Sequence, residues 1–506
     1  MLRKRLLFMG LILSSNAFWS EAKYTELFTE QKVALPFSVN RSVVAADVLL
    51  QAGVELLVSG VDDNQQRKLA ILGLNTTTAS FEVLDVIDIA NNVFAFDVGV
   101  EDQQGLKQLY LLTKSSVTKY IPARMSHGSS WQLAQQVSSM YISEISDAFG
   151  QMDFVRDIND DKKDDIILPH FETLNLWLSN CCSQKHSQVL PIASRMEMRN
   201  SSVTFDDREL FFQDMTQDAK TDLVLVEDGR LFVYQQNADI QFSLQPIEIN
   251  IHPKASGLEW WDTKDEKGQE LNQSNLIHRK VDAIEDVNGD NIPDVAIKYT
   301  QSSGVLDKKI NYEFYYGKVI DNRLSYATQA DTQVASTDTL TGLYFVDLQD
   351  DGKLEVVVSS FDIGISQVIG ALMSGSIDQD TLIFAMDEEF QFSPKPIVSQ
   401  EVEMTFSLSS GSTGQPLTKV IDLNADGLKD IVYSDGTDKI KVLYAESNGK
   451  RSFVRRALTQ KVKLPSDSEG VAAQDLNGDG KTDLAFRFGR GDAPELLNQV
   501  TVLVAN

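Results

Sequence analysis

Four short stretches of the chain place oxygen-bearing side chains at alternate positions, a spacing suited to holding a hard cation. They are Asp157, Asn159, Asp161 and Asp165; Asp286, Asn288, Asp290 and Asp294; Asp422, Asn424, Asp426 and Asp430; and Asp475, Asn477, Asp479 and Asp483. In each, positions 1, 3, 5 and 9 carry the side-chain oxygens, and the backbone carbonyl of position 7 can add another. Calcium takes 6–8 oxygen ligands at ~2.3–2.6 Å in flexible geometry, whereas magnesium prefers a rigid octahedron that keeps its waters. The donor set therefore points to Ca2+. Two looser copies follow the same register. Asp214, Asp218 and Asp222 have Thr216 at position 3 and Ala219 at position 6; Asp347, Asp351 and Glu355 have Gln349 at position 3. These are expected to bind more weakly or not at all, giving about four calcium sites and at most six. The alternative is a turn rich in Asp and Asn that needs no ion.

The elements that position these loops repeat along the chain. Each unit is a short apolar run, a lead Asp, the acidic loop and a second apolar run. The fullest copy is Val471-Ala-Ala-Gln-Asp475-Leu-Asn-Gly-Asp-Gly-Lys-Thr-Asp483-Leu-Ala-Phe486. Two degenerate units precede the six named above, with lead residues Asp47 and Asp97. In the first, Leu49 and Gln51 stand where the ligands should be. The eight lead positions are 47, 97, 157, 214, 286, 347, 422 and 475, and each interval has room for about four ordinary strands. The runs are rich in Val, Ile, Leu, Phe and Tyr and are bounded by Asp, Asn and Gly, while long amphipathic helices are not visible. In the fourth unit, Arg230–Gln235 and Ile240–Pro246 read as third and fourth strands.

The fold expected is all-β: a β-propeller of four-stranded antiparallel blades. Eight blades are favoured, with seven if the second unit is not separate. The last unit has three strands and then the chain stops. Gln31-Lys-Val-Ala-Leu-Pro36 matches Gln460-Lys-Val-Lys-Leu-Pro465 at five of six positions. The N-terminal segment is thus expected to supply the missing fourth strand and close the ring.

The loops resemble the FG-GAP or VCBS repeats that build the propeller of integrin α-chains and of many bacterial secreted proteins. The resemblance spans all eight units from about residue 24. It is carried most specifically by D-x-[DN]-x-D-G-x-x-D followed by an apolar strand. It implies that the calcium loop joins the first two strands of each blade on one face of the disc. It also implies that ligands are bound on the other face. The first two units depart from the pattern, and the Phe-Gly-type start of the family's repeat is not evident.

Composition narrows the function. With 46 basic and 73 acidic residues the formal net charge is −27, which disfavours nucleic acid. Arg3, Lys4 and Arg5, the apolar run Leu6–Leu13 and Ser20-Glu21-Ala22 read as a secretory signal peptide over residues 1–22, leaving a propeller over 23–506. An uncleaved anchor is the alternative, but the run is short for a bilayer span. The protein is expected to be exported to a periplasm or the cell exterior, with no membrane span and monomeric by default. Cys181 and Cys182 could form a vicinal disulfide or remain thiols. Two long connections, 249–279 with Trp260 and Trp261, and 394–416 with Ser409-Ser-Gly-Ser-Thr-Gly414, are candidate recognition loops. The tryptophans could stack on a sugar or pack as a lid. Arg490-Gly-Asp492 is a tripeptide that arises easily by chance. No G-x-S-x-G, H-E-x-x-H or phosphate loop is present, and the five histidines are scattered. The sequence therefore points to a calcium-binding interaction module for a protein or glycan. A polysaccharide-processing enzyme of lyase type on the same scaffold is the alternative.

Overall fold

The structure is a computed structural model. It describes residues 26–122, 129–141, 149–179, 186–199, 202–265, 267–304, 307–362, 375–407, 412–446 and 452–506. Residues 1–22, read above as a signal peptide, Cys181, Cys182 and Ser409–Gly411 lie outside these.

Among the described residues eight antiparallel blades follow one another along the chain; the hairpin Lys318–Ile320/Arg323–Ser325 interrupts blade 5 before its fourth strand, and the last blade takes its fourth strand from the N-terminal segment. Blade 1 comprises Val44–Ala46, Glu55–Val61, Arg67–Asn75 and Ser80–Asp88; blade 2 comprises Val93–Glu101, Lys107–Thr113, Ser116–Ile121 and Ser130–Gln136. The degenerate second unit is therefore a blade of its own, and the ring has eight. Blade 3 runs from Val155–Arg156 to His186–Leu190 and blade 4 from Leu210–Gln213 to Ile247–Asn250. Blade 5 starts with the long strands Leu276–Glu285 and Asp294–Gly304; blade 6 starts at Thr339–Val346 and blade 7 at Thr418–Ile421. Blade 8 holds Ala472–Gln474, Asp483–Arg487 and Gln499–Ala505, and its fourth strand is Phe28–Ala34.

That fourth strand pairs antiparallel with Gln499–Ala505 from Phe28↔Ala505 to Ala34↔Gln499, with Val33 opposite Val500. Without it the last strand would leave an open edge. The repeated glutamine noticed in the sequence has a physical reason. Gln460, on the fourth strand of blade 7, accepts from the Leu27 and Phe28 amides and donates to the Phe28 carbonyl. Gln31 does the same from blade 8 to blade 1, accepting from Phe81 N and donating to Ala79 O. Gln188 repeats the clamp from blade 3 to Phe242 of blade 4. One side chain thus ties each of these outer strands to the following blade, across the closure as well as within the ring.

The core is a set of layers between adjacent blades. Val33, Leu35, Leu56, Val58, Ala70, Ala485 and Val502 form the layer between blades 8 and 1. Phe28, Val432, Val442, Leu484 and Phe486 belong to the layer between blades 7 and 8. Each buried aliphatic side chain contributes about 1.5–3 kcal/mol relative to exposure. Close approach fixes one residue type: a Cβ on Gly60 would lie 2.0 Å from the Ser38 carbonyl oxygen, where Ser38–Val39 crosses the second strand of blade 1.

Three segments differ from the sequence reading. Residues 240–246 are not a strand; Asn237 Oδ1 caps the amides of Asp239 and Gln241 in a turn, and the fourth strand of blade 4 is Ile247–Asn250. The 394–416 segment contains a ten-residue strand, Val398–Ser407, with Ser412–Gly414 paired beyond it. In blade 2, Asp97 lies inside the first strand, and the turn sits at Asp102, whose Oδ1 accepts from Gln104 N and Leu106 N.

Candidate functional site: two faces of the ring

Strands alternate in direction, so first-to-second strand loops share one face, and inter-blade connections share the other. The six acidic loops adopt one conformation on the first of these faces. Positive φ recurs at positions 4 and 6: Asp160 and Lys162, Gln217 and Ala219, Gly289 and Asn291, Asp350 and Gly352, Ala425 and Gly427, Gly478 and Gly480. That backbone wraps the amides of positions 5 and 6 around the lead carboxylate. Asp475 accepts from Asp479 N at 3.2 Å and Gly480 N at 2.8 Å. Asp157 accepts from Asp161 N at 3.1 Å and Lys162 N at 2.7 Å. Asp286, Asp422, Asp214 and Asp347 make the same pair of bonds in their own loops. The Asn at position 3 accepts from the amide of position 5: Asn159, Asn288, Asn424 and Asn477 do so at 2.8–3.1 Å. Thr216 and Gln349 make no such bond to position 5 among those described, yet their loops keep the shape.

The position-9 acid has a second task that the spacing did not reveal. Asp165, Asp222, Asp294, Asp430 and Asp483 are fully buried. One oxygen of each accepts from the amide of position 2, as Asp483 does from Leu476 N at 3.0 Å. The other accepts from the end of the third strand: Ser179, Gln236, Gly317, Ala445 and Ala505 amides at 2.6–2.9 Å. Glu355 makes the first bond, to Leu348 N. This acid therefore fastens its loop to the blade. Burial pushes Asp165, Asp294 and Glu355 up to about 7 and Asp222, Asp430 and Asp483 up to about 6; the amide bonds oppose that rise, and the neighbouring loop carboxylates add to it.

Sequence reasoning missed Glu55. It occupies position 9 of the degenerate first loop, is fully buried, and accepts from the Val48 and Leu49 amides at 2.8 and 3.0 Å. Its signal was the nine-residue register from Asp47, obscured by the loss of positions 3 and 5. Asp97 was misread in the other direction. Buried, it accepts from Phe154 N and Val155 N at 2.7 Å and so staples blade 2 to blade 3.

The donor set fits a hard cation. Carboxylate and amide oxygens stand at alternate positions 1, 3 and 5, and in the Asp157 loop Asp161 Oδ1 is buried with no hydrogen-bond partner. No group of three or more metal-ligating side chains is already drawn together among the described residues. Neighbouring loops are also linked. Thr482 N donates to Asp422 O, Leu354 N to Val287 O, Val54 N to Leu476 O and Lys107 N to Asp47 O, so order in one loop bears on the next.

The opposite face carries the insertions. Between blades 3 and 4 the hairpin Arg195–Arg199/Ser202–Asp206 rises, and Arg195 reaches Asp262 at 3.4 Å beside the tryptophan pair. Within 249–279, Ser256 pairs with Lys280 at the inner edge of blade 5, so part of this connection extends the sheet. Trp260 and Trp261 meet edge to face at 5.3 Å. Lys308 Nζ lies 5.1 Å from the Trp260 ring centre and Lys298 Nζ 5.9 Å from that of Trp261, which is 53% exposed. Lys280 pairs with Glu209 and Asp282, and Lys298 with Glu259, so each of these cations is already met by carboxylate. The Asp492 carboxylate is engaged by Ser466 N and Gly489 N, which makes the Arg490-Gly-Asp492 stretch a local turn. No helix among the described residues is long and apolar enough to cross a membrane.

Residues 422–486, covering the loops at Asp422 and Asp475, match the FG-GAP-like repeat family. The resemblance carried by the loop residues is thus found in these two units, within an eight-bladed propeller. No curated protein matches the chain. Among solved structures the chain is similar to an Agrocybe aegerita lectin described as recognising non-reducing terminal N-acetylglucosamine. That likeness has 14% identity and a TM-score of 0.41, over 92% of this chain and 99% of that one. It is also similar to a periplasmic gluconolactonase of Pseudomonas aeruginosa, at 10% identity and a TM-score of 0.35, over 81% of this chain and 99% of that one.

Proposed function

We propose that the protein is an exported, calcium-loaded propeller that presents the face away from its acidic loops to a protein or glycan partner. The carrying observation is the shared loop conformation: six loops with different side chains turn the same backbone, with positive φ at positions 4 and 6, and wrap the amides of positions 5 and 6 around the lead carboxylate. In this reading Asp157, Asn159, Asp161, Asp286, Asn288, Asp290, Asp422, Asn424, Asp426, Asp475, Asn477 and Asp479 hold four ions. The buried position-9 acids complete each site while keeping the loop fastened. Bound calcium neutralises carboxylates that otherwise repel one another. The loops at Asp214 and Asp347 keep the turn with fewer oxygens and are the weaker sites.

The recognition surface proposed is the one built by Trp260, Trp261 and the Arg195–Asp206 hairpin. Exposed tryptophan offers a flat apolar face with a polar edge, suited to sugar rings and to protein anchors. The pairing of Lys280 and Lys298 with carboxylates supports binding rather than catalysis. Glycan-array and envelope-protein binding by the calcium-loaded wild type, set beside a Trp260→Ala/Trp261→Ala variant, tests this. Loss of binding with an unchanged melting temperature is expected. Retained binding together with a lower melting temperature would make the tryptophans a packing element.

A further inference from the structure

Blades 3 and 4 do not close against each other on the face away from the acidic loops. A cavity of about 300 Å³ lies between them, within the size range of small-molecule sites. Met152, Leu174, Ile192 and Phe212 give it apolar walls. Arg156 and Arg208 line it on blades 3 and 4, accompanied by Asp153 and Asp207. One side is formed where the chain enters and leaves the inserted hairpin: Ser194 immediately precedes it, and Asp207 and Arg208 immediately follow it.

Hydrogen bonds fix the lining. Ser194 Oγ donates to the His170 carbonyl at 2.9 Å, and Tyr141 OH donates to Asp207 Oδ2 at 2.5 Å. Burial raises the Asp207 carboxyl above the usual range, against the Tyr141 bond. Asp153 is neutralised by Arg156, whose guanidinium also lies 4.7 Å from the Phe212 ring centre. Arg208 donates from Nε to the Ala193 carbonyl at 3.2 Å, and its ion pair with Glu227 is long, at 3.6 Å. A guanidinium has five N–H donors in a planar fork, so Arg208 keeps donors for an incoming acceptor. With Arg156 taken up by Asp153 and Asp207 by Tyr141, Arg208 is the cation left with donors, and beside apolar walls it favours an anion that also has an apolar body.

We propose that this cavity binds a small organic carboxylate, with its carboxyl group on Arg208 and an apolar, ring-sized body against Phe212 and Ile192. The site uses neither the side chains of the acidic loops nor the tryptophans, and its test reads small-molecule binding alone, so it stands or falls apart from the reading above. Its test is a charge series on one carbon frame, phenylacetate, phenylacetamide and 2-phenylethylamine, titrated into the full chain by calorimetry. Phenylacetate should bind saturably, and the amide and the amine about tenfold more weakly or worse. Arg208→Gln should weaken phenylacetate by about tenfold. Ala193→Trp, a change at an exposed position on the cavity wall, should block it while melting stays cooperative. Absence of saturable phenylacetate binding at millimolar concentration would overturn the proposal. So would binding of the amine as tight as that of phenylacetate, or binding unchanged in Ala193→Trp. If Arg208→Gln fails to fold, the charge series and Ala193→Trp still decide.

Discussion

The loops of blades 8 and 1 are neighbours on the same face, linked by the hydrogen bond from Val54 N to Leu476 O, yet they have diverged in opposite ways. Blade 8 keeps Asp475, Asn477, Asp479 and Asp483. Blade 1 keeps only the ends, Asp47 and Glu55, with Leu49 and Gln51 between. What survives in blade 1 is the buried acid that accepts the amides of its own loop. The comparison separates two jobs that a single repeat conflates. Position 9 fastens the loop to the blade whether or not positions 3 and 5 keep their oxygens, and in the proposed reading those two positions serve the cation. Blade 2 goes further: its acidic loop is gone, and Asp97 has become a staple to blade 3.

The largest effect should come from removing what both blades share. Phe28–Ala34 completes blade 8 and packs against blade 1. Deleting residues 26–36 exposes the edge of Gln499–Ala505 and removes Phe28, Val33 and Leu35 from the core, each worth about 1.5–3 kcal/mol. Against a stability of ~5–15 kcal/mol, this should abolish cooperative unfolding or cause aggregation, as read by calorimetry and light scattering. A truncated chain that melts like the parent would refute closure by this strand.

Next come the fasteners. Glu55→Ala and Asp483→Ala each leave two buried amides without an acceptor, about 1–3 kcal/mol per group. In chelator, both should lower denaturant stability by similar amounts. In calcium, Asp483→Ala should lose more, because it also loses an ion, whereas the cost of Glu55→Ala should not change. Equal costs in calcium would erase the division of labour.

A smaller effect is the pH dependence. The position-9 acids have folded pKa values near 6–7, above those of ordinary carboxyls. A raised folded pKa means that the native state holds the proton more tightly. Its contribution to stability is therefore full below about pH 4 and is lost as pH rises through 6–7. The calcium-free protein should lose melting temperature between pH 5 and 8. Saturating calcium should flatten that slope, leaving the part due to Glu55 and Asp97, which burial likewise pushes up to about 7 and about 6. A calcium-free melting temperature that rises over this range would contradict the assignment.

Much of this was legible because repetition amplifies weak signals. One Asp-x-Asn-x-Asp stretch is ambiguous, but six in register fixed the positions of the blade-starting loops. The Gln31 and Gln460 match located the closing strand before its contacts were known, because equivalent strands need the same clamp. Where repetition decayed, legibility decayed with it. Glu55 was hidden because a buried fastener looks like any acid once its neighbours have changed. Asp97 was misplaced by five residues because the strand alternation of blade 2 gives no marker of where its turn begins. The cavity between blades 3 and 4 had no sequence signal at all, since its lining comes from several separate segments joined only by the fold.

The central claim is that positions 3 and 5 decide where calcium binds. Metal analysis after equilibration in millimolar calcium, paired with calorimetric titration of the chelated protein, tests it most directly. About four ions per chain are expected, and up to six if the Asp214 and Asp347 loops fill. Asp479→Ala should remove one and Gln51→Ala none, and calcium should restore melting temperature better than magnesium, with each site worth about 2.7 kcal/mol at a hundredfold excess over Kd. Fewer than two ions per chain, or a loss of calcium on Gln51→Ala equal to that on Asp479→Ala, would mean that the loops are ion-free turns and that the account is wrong.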